Sequence, residues 1–189
     1  MAILIPALEA AKGSKQKPTE GEIFLLEFLA GHFDHQVEVY FQPCFNGDRP
    51  DIVLLSPNAG VIIIEVKDWN LDLYIIDSNN KWSVKALSQR VKSPFQQVYA
   101  YKKNFFEIHV NGLLEKSLKS PNFFRMIKTY VYFHHGTKRA IHSLYNSHLD
   151  RLHEQSRRNE EDYKSKKIDF YAISLYTTPH RRHADLNNR

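Results

Sequence analysis

The chain has 189 residues, of which 42% are hydrophobic and 13% aromatic, and its formal net charge is +5. This length and apolar content suffice for one domain with a core, and they exclude a disordered chain. A single cysteine, Cys44, excludes an internal disulfide and agrees with a reducing compartment, so we expect a cytoplasmic protein. No apolar run approaches the ~20 residues of a membrane-spanning helix, and we expect no membrane partner. The positive charge favours a polyanionic partner without identifying it.

Residues 1–18 are expected to form an N-terminal segment that packs on the domain, with a polar link over residues 13–18. Thr19 and Glu22 then fit a capping box, in which Thr19 is the N-cap of a helix and Glu22 its third residue. Apolar residues at helical spacing predict that this helix runs to about His32. The cap is one interpretation of Glu22. The alternative is that Glu22 points from the helix start into the metal site, and we do not expect both roles at the same time.

A β-hairpin is predicted over residues 50–69, PDIVLLSPNAGVIIIEVKDW, after a strand at Val37–Gln42 and a loop that turns at Gly47-Asp48. Asp48 is interpreted as a turn residue of that loop. Two apolar runs flank SPNAG, a segment made almost entirely of turn-forming residues. If the turn is symmetric about Asn58, Asp51 faces Glu65 across the hairpin.

Alternation along the strands places Asp51, Glu65 and Lys67 on one face. Both runs are apolar on both faces, which is typical of strands covered on each side. Two opposed carboxylates at the edge of a core destabilise each other, and unpaired buried charge is costly. A divalent cation between them would remove this conflict, so the hairpin predicts a metal site. The alternative is that Lys67 forms an ion pair with Glu65 or Asp51 and that no metal binds.

Pro50-Asp51 followed by Glu65-Val66-Lys67 is similar to the PD-(D/E)XK signature of metal-dependent nucleases. More narrowly, the chain resembles the nuclease-related domain (NERD) family over roughly residues 18–105. The segments that carry this resemblance are Gly21-Glu22, the hairpin stretch from Arg49, and SPFQQ at residues 93–97. The resemblance implies an α/β fold with a restriction-endonuclease-like core, in which a central mixed β-sheet is flanked by helices.

The same resemblance implies a nuclease that hydrolyses DNA phosphodiester bonds with Mg²⁺ or Mn²⁺. Asp51 and Glu65 would bind the metal, and the resemblance places the backbone carbonyl of Val66 as a third ligand. Lys67 would orient the attacking water, stabilise hydroxide or neutralise the phosphate. Glu22 would complete the site from the helix start.

Two more strands are predicted at Asn70–Ile76 and Lys81–Lys85, and we expect them to extend the sheet of the hairpin. In the residues that end the hairpin, Asp68 is expected to have a structural role on the opposite face from Glu65. Trp69 is expected in the core rather than stacked on a base.

A second helix is predicted from Ser93 as N-cap and Pro94 as first helical residue to about His109. Gln97 and Tyr101 share one face of it. Their Q-x-x-x-Y spacing resembles the pattern that follows the catalytic strands of RecB-like nucleases, which implies that Gln97 contacts phosphate or the site. The alternative is a glutamine on a solvated face.

Thr129–Phe133 is predicted as a core strand that ends at His134-His135. Because adjacent strand residues point to opposite faces, we do not expect these histidines to bind one metal together. Residues 138–167 are expected to be helical and residues 168–177 to form a last strand. The nuclease domain would thus span residues 19–178, with a basic tail or linker at residues 179–189.

DNA is the expected partner, and the resemblance adds a helicase or another DNA-processing module; no oligomeric state is predicted. Two other functions fit the same residues. One is a non-catalytic nucleic-acid-binding module of a larger DNA-processing protein. The other is a protein-interaction domain in which Asp51, Glu65 and Lys67 form an internal ion-pair network.

Overall fold

The elements of the fold come from a computed structural model that describes residues 1–57, 59–77, 79, 81–87 and 89–145. The predicted strand at residues 168–177, the tail at 179–189 and the helix beyond residue 145 lie outside the described residues. Residues 138–145 are helical, as predicted. The other elements, in chain order, are β1 (Ile3–Ile5), α1 (Leu8–Lys12), α2 (Glu20–His32), β2 (Glu38–Phe41), β3 (Ile52–Ser56), β4 (Gly60–Lys67), a 3-10 turn (Leu71–Leu73), β5 (Tyr74–Ile76), β6 (Trp82–Val84), β7 (Gln89–Val91), α3 (Pro94–Asn104), a π-helical turn (Phe105–His109), α4 (Leu113–Lys119), α5 (Pro121–Arg125) and β8 (Ile127–Phe133).

The central sheet is built on the hairpin of β3 and β4, whose register is the predicted one. Val53 lies opposite Ile63, and Leu55 lies opposite Val61. β2 pairs with β3 in antiparallel orientation, while β1 and β8 add parallel strands at the two edges. The sheet is therefore mixed, with the order β1-β2-β3-β4-β8.

Helices cover both faces of this sheet. Leucines of α2, among them Leu25 and Leu29, pack with Ile52 and Ile64 on one face. On the other face, Val53 and Ile63 pack with Tyr101, Phe105 and Phe106 of α3 and the π-helical turn that follows it. Burial on each side explains why the hairpin strands are apolar at almost every position. The predicted α/β fold, a mixed sheet flanked by helices, is confirmed.

The strands after the hairpin do not extend the central sheet, so this expectation was wrong. β5, β6 and β7 form a separate antiparallel sheet in the connection between β4 and α3. They cannot pair with β4 because β8 occupies its remaining edge. Trp82 and Ile76 of the small sheet instead pack against Val98 of α3 and Phe133 of β8.

The N-terminal segment packs on the domain as expected. Its strand β1 pairs with β2, and Ala11 of α1 is buried in the core under α2. This strand and this short helix were not predicted, because neither is long enough to produce a hydrophobic period. Within the part of the chain that the structure describes, no helix has the length and apolar character needed to cross a bilayer.

The packing of the first residue of β4, Gly60, against Met126, the residue before β8, can be tested by substitution. Gly60 has φ +79°, and a Cβ there would lie 2.3 Å from the carbonyl oxygen of Met126. Gly112 has a similar φ, +73°, but a Cβ there would meet open space. We expect Gly112→Ala to cost only the backbone strain of about 1–3 kcal/mol, and Gly60→Ala to cost more. Urea denaturation of the two variants measures the difference, and equal losses would contradict the contact.

Candidate functional site

Asp51 and Glu65 lie at the same end of the central sheet. Asp51 directly precedes β3, and the register of the hairpin, continued by one residue pair, places it opposite Glu65. Oδ2 of Asp51 accepts a hydrogen bond from the backbone N–H of Val66 at 2.7 Å. Each of the two carboxylates changes the pKa of the other. The structure therefore brings the two predicted acids together on one face.

Glu65 is a buried carboxylate with only one of its two oxygens satisfied. The residue is 1% exposed, and its Oε1 forms an ion pair with Nζ of Lys67. Its Oε2 is buried and, when Asp51 is ionised, has no hydrogen-bond donor among the described residues. A hydrogen bond with the Asp51 carboxyl group lowers the pKa of Glu65, so the two acids can share a proton when no cation is bound. A buried acceptor without a partner is costly, and a cation would satisfy it. Carboxylate oxygens are the ligands that Mg²⁺ and Mn²⁺ prefer, so the donor set fits these ions.

The electrostatics of the pair oppose full ionisation of both acids. Burial raises the pKa of Asp51 to about 7, and the charge of Glu65 adds to this rise. Burial also raises the pKa of Glu65, although the ammonium of Lys67 works in the opposite direction. Glu65 is buried and Asp51 is partly buried, and the one ammonium paired with them, that of Lys67, does not balance two negative charges. A divalent cation would supply the missing charge.

Glu22 caps α2 and also faces the site, so the two interpretations of this residue are compatible. Its Oε2 accepts a hydrogen bond from the backbone N–H of Thr19 at 2.7 Å, which completes the predicted capping box. The side chain is not exposed to solvent at the helix start, since the residue is 5% exposed. Its charge contributes to the raised pKa of Asp51.

Gln97 and Tyr101 form a hydrogen-bonded pair on the face of α3 that is turned towards the acids. Nε2 of Gln97 donates to the hydroxyl of Tyr101 at 3.0 Å, and that hydroxyl donates to the carbonyl of Arg49 at 3.2 Å. Burial raises the pKa of Tyr101, and the charges of Glu65 and Asp51 raise it further. The half-buried Gln97 is therefore not on a freely solvated face.

Two residues that the sequence did not indicate connect Glu22 to this pair. Nε2 of Gln42 donates to Oε1 of Glu22 at 2.9 Å, and Oε1 of Gln42 accepts from Nη2 of Arg49 at 2.7 Å. Gln42 also has a positive φ of 44°. The one sequence signal that could have placed Arg49 near the site is that it directly precedes Pro50-Asp51. Gln42 directly follows β2, and no local pattern marks it.

Lys92 is a third residue that the sequence analysis missed. Its charge lowers the pKa of Glu65, which places its ammonium within electrostatic range of the acids. The residue directly precedes the N-cap Ser93 of α3. The tertiary fold brings this N-terminal end of α3 close to the acids, and nothing near Lys92 in the sequence predicts it.

The remaining carboxylates near the hairpin have structural contacts. Asp48 pairs with Phe45 across the predicted turn, and its Oδ2 accepts from Nδ2 of Asn104 at 2.7 Å. His109 lies 2.9 Å from the same oxygen through Nε2. Oδ2 of Asp68 accepts from the backbone N–H of Gly21 at 3.4 Å. These contacts hold the β2–β3 loop to α3 and the end of β4 to the start of α2.

Trp69 packs in the small-sheet core rather than standing free beside the site. Its ring stacks on Tyr74 with centroids 4.5 Å apart, and it lies against the cluster formed by Trp82 and its neighbours. The Nζ of Lys67 lies 5.7 Å from the ring centroid of Trp69. The expectation that Trp69 belongs to the core is confirmed, and the ring additionally borders the ammonium of Lys67.

The fold and the site define a class: an α/β protein with a restriction-endonuclease-like core and a buried acidic hairpin. The chain belongs to the nuclease-related domain (NERD) family, whose family model matches residues 17–134, more than half of the chain. The PD-(D/E)XK superfamily is consistent with that family. The match covers Glu22, the hairpin and Gln97, and it extends beyond the expected residue 105. Comparison with curated proteins and with solved structures gave no match.

The raised pKa of Asp51 predicts how stability depends on pH. The group titrates near 7 when folded against an ordinary value of 3.8, so between these pH values only the folded protein holds the proton. The contribution of Asp51 to stability is therefore fully present below about pH 3.8 and is lost as the pH rises through about 7. In EDTA, we expect the contribution of Asp51 to the free energy of unfolding to fall by about 2 kcal/mol between about pH 5.5 and pH 8.5.

Asp51→Asn removes the titrating group and is expected to flatten this dependence, with higher stability than the unmodified protein at about pH 8.5. The exposed Asp72 provides the control, since Asp72→Asn should retain the slope. Urea denaturation at a series of pH values gives both curves. An unchanged slope in Asp51→Asn would show that the pKa of this carboxyl group does not govern the pH dependence.

Proposed function

We propose that this protein is a metal-dependent nuclease that hydrolyses phosphodiester bonds of DNA. The observation that carries the proposal is Oε2 of Glu65, a buried carboxylate oxygen without a partner among the described residues, beside a second carboxylate whose pKa is raised. A divalent cation would satisfy the free oxygen and neutralise the repulsion between the two acids. Membership of the nuclease-related domain family supports the assignment.

The residues that would hold Mg²⁺ or Mn²⁺ are Asp51, Glu65 and the carbonyl of Val66. Val66 is a reasonable third ligand because its own N–H is held by Asp51, so its backbone lies beside the acids. Bound there, the metal would polarise the phosphate and lower the pKa of a coordinated water. Oxygen ligands with few protein donors suit Mg²⁺, which retains several waters.

Lys67 would stabilise the negative charge that develops on the phosphate or orient the attacking water. Its ammonium now pairs with Glu65, and it lies on the same side of β4 as that acid. Once a cation shares the charge of Glu65, Lys67 becomes able to contact a phosphate oxygen. Gln97 would position the phosphate from α3, held in place by Tyr101, and Glu22 would orient the site from α2.

The main competing function is a protein-interaction domain in which Asp51, Glu65 and Lys67 form an internal ion-pair network. The ion pair of Lys67 with Glu65 agrees with it. However, that network leaves one oxygen of Glu65 unpaired and two acids for one lysine, which disfavours it. A non-catalytic DNA-binding module keeps the same geometry, and only an assay of turnover distinguishes it. An adjoining helicase or other DNA-processing module stays a prediction.

Cleavage of linear, circular and single-stranded DNA in Mg²⁺, Mn²⁺ or EDTA tests the proposal. We expect cutting only with metal, and a loss of at least about 100-fold in Glu65→Gln and in Lys67→Met, because both side chains act on charge that develops in the transition state. Glu115→Gln and Lys81→Met are matched surface controls and should cut normally. Thermal shift assays with Mn²⁺ should show stabilisation that Asp51→Asn abolishes.

The three functions give different outcomes in that experiment. DNA binding without cutting in any metal would replace the nuclease by a binding module. Absence of binding, of cutting and of a Mn²⁺-dependent thermal shift would favour the ion-pair network. Equal loss of activity in the matched surface controls would show that the effect of Glu65→Gln and Lys67→Met is not specific to the site.

Two adjacent glutamines allow a controlled test of α3. Gln97 is half-buried and bonded to Tyr101, whereas Gln96 is exposed on the same helix. We expect Gln97→Ala to reduce kcat/KM by about 10-fold, mainly through KM, because a phosphate contact contributes to binding substrate. Gln96→Ala should leave both constants unchanged. Similar kinetics for the two variants would remove Gln97 from the site.

A further inference from the structure

A group of side chains of the types that bind metals lies on the other side of the start of α2 from the hairpin acids. Glu20, His134 and His135 each present one ligand atom, and these atoms all lie within 4.8 Å of one another. The expectation that the two histidines point apart was wrong, because β8 ends at Phe133 and strand alternation stops there. Both histidines lie in the turn that follows, with ring centroids 4.7 Å apart.

The ring of His134 is held in a defined orientation. Its side chain is 12% exposed, and its Nδ1 lies 3.0 Å from the hydroxyl of the buried Tyr132. The ring also packs against Phe24 of α2, with centroids 5.3 Å apart. When Nδ1–H donates to the Tyr132 hydroxyl, Nε2 keeps a lone pair that faces Glu20. Metal-binding histidines take this arrangement, in which the second ring nitrogen is bonded to a fixed partner.

The distance between His134 and Glu20 fits a shared ion better than a direct contact. Nε2 of His134 lies 3.7 Å from Oε1 of Glu20, which is too long for a hydrogen bond. Two ligands of a tetrahedral zinc ion, each about 2.1 Å from the metal, are about 3.4 Å apart. The side chain of Glu20 is 78% exposed, so it can make this small adjustment. His135 is exposed as well and can supply the third ligand.

We propose that Glu20, His134 and His135 bind a zinc ion, with water at the fourth position. Imidazole nitrogens suit Zn²⁺, whereas Mg²⁺ requires oxygen ligands. The Asp51–Glu65 site offers only oxygen donors, so the two sites would select different metals. The zinc site adds to the proposed nuclease function and does not depend on it.

The zinc ion would fasten α2 to the ends of two strands. The backbone N–H of His134 donates to the carbonyl of Lys67 at 3.0 Å, so the turn after β8 is attached to the end of β4. A Cβ on Gly21 would lie 2.8 Å from Cβ of His134, so the helix start already packs tightly on this turn. A metal bound by Glu20 and the histidines would hold this junction, and Glu22 with it, in one position.

Calorimetric titration of the metal-stripped full chain with ZnCl₂ tests the site. The titration is made in the Asp51→Asn, Glu65→Gln background, and also in the unmodified protein with excess Mg²⁺, so that the oxygen site does not take up zinc. We expect one zinc ion per chain, and binding at least about 10-fold weaker in Glu20→Gln and in His135→Ala, since each removes a ligand. Tyr132→Phe should weaken binding by about 10-fold through the orientation of His134.

Matched controls separate this site from three other histidines of the chain. His142→Ala and the pair His180→Ala with His183→Ala should leave the zinc affinity unchanged. Substitution of Co²⁺ should give the visible spectrum of a tetrahedral ion, and Glu20→Gln should alter that spectrum. Zinc affinity that is equal in Glu20→Gln, His135→Ala and the controls would overturn the proposal. Because the background lacks both hairpin carboxylates, this result is independent of whether the protein cleaves DNA.

Discussion

The pairing of β3 with β4 in one register is the constraint on which the rest of the structure depends. Because strand side chains alternate, a slip by one residue would turn Asp51 away from Glu65 and move it to the opposite face of the sheet. The residue after the turn opposes such a slip. Gly60 has a positive φ and packs against the backbone of Met126, and a residue with a side chain would not fit there. Covering both faces with α2 and α3 then buries Glu65, while Asp51 and Lys67 stay partly exposed. The same pairing that builds the core therefore concentrates two negative charges at its edge.

This concentration of negative charge destabilises the folded protein, and only a few positive or hydrogen-bonding groups offset it. The N–H of Val66 bonds Asp51, the ammonium of Lys67 pairs with Glu65, and Lys92 acts on Glu65 from a greater distance. These contacts are not sufficient, since burial still raises the pKa of both acids. A structural ion-pair network would be expected to balance its charges and to satisfy its oxygens. The imbalance is the property expected of a site that receives a cation from solution.

Local signals in the sequence predicted the parts of the fold that depend on neighbouring residues. The capping box at Thr19, the N-cap at Ser93 and the turn-forming residues SPNAG each act within a few residues, so α2, α3 and the hairpin register were predictable. The parallel pairing of β8 with β4 joins residues such as Glu65 and Val131, and no local pattern specifies it. The error over the small sheet followed from this unpredicted pairing, since the strand itself was predicted but its position beside β4 was not. For the same reason the sequence indicated the acids of the site but not Gln42, Arg49 or Lys92, whose contacts are tertiary.

The first turn of α2 relates the two groups of potential metal ligands. Glu20 and Glu22 are two residues apart on a helix and so point about 200° away from each other. Glu22 faces Gln42 and the hairpin acids, whereas Glu20 faces His134 in the turn after β8. Gly21 between them must be small, because a Cβ there would lie 2.1 Å from Oδ1 of Asp68. A movement of this turn would therefore alter both clusters together. An ion bound at Glu20 would restrict the position of Glu22, because one rigid turn of helix carries both carboxylates.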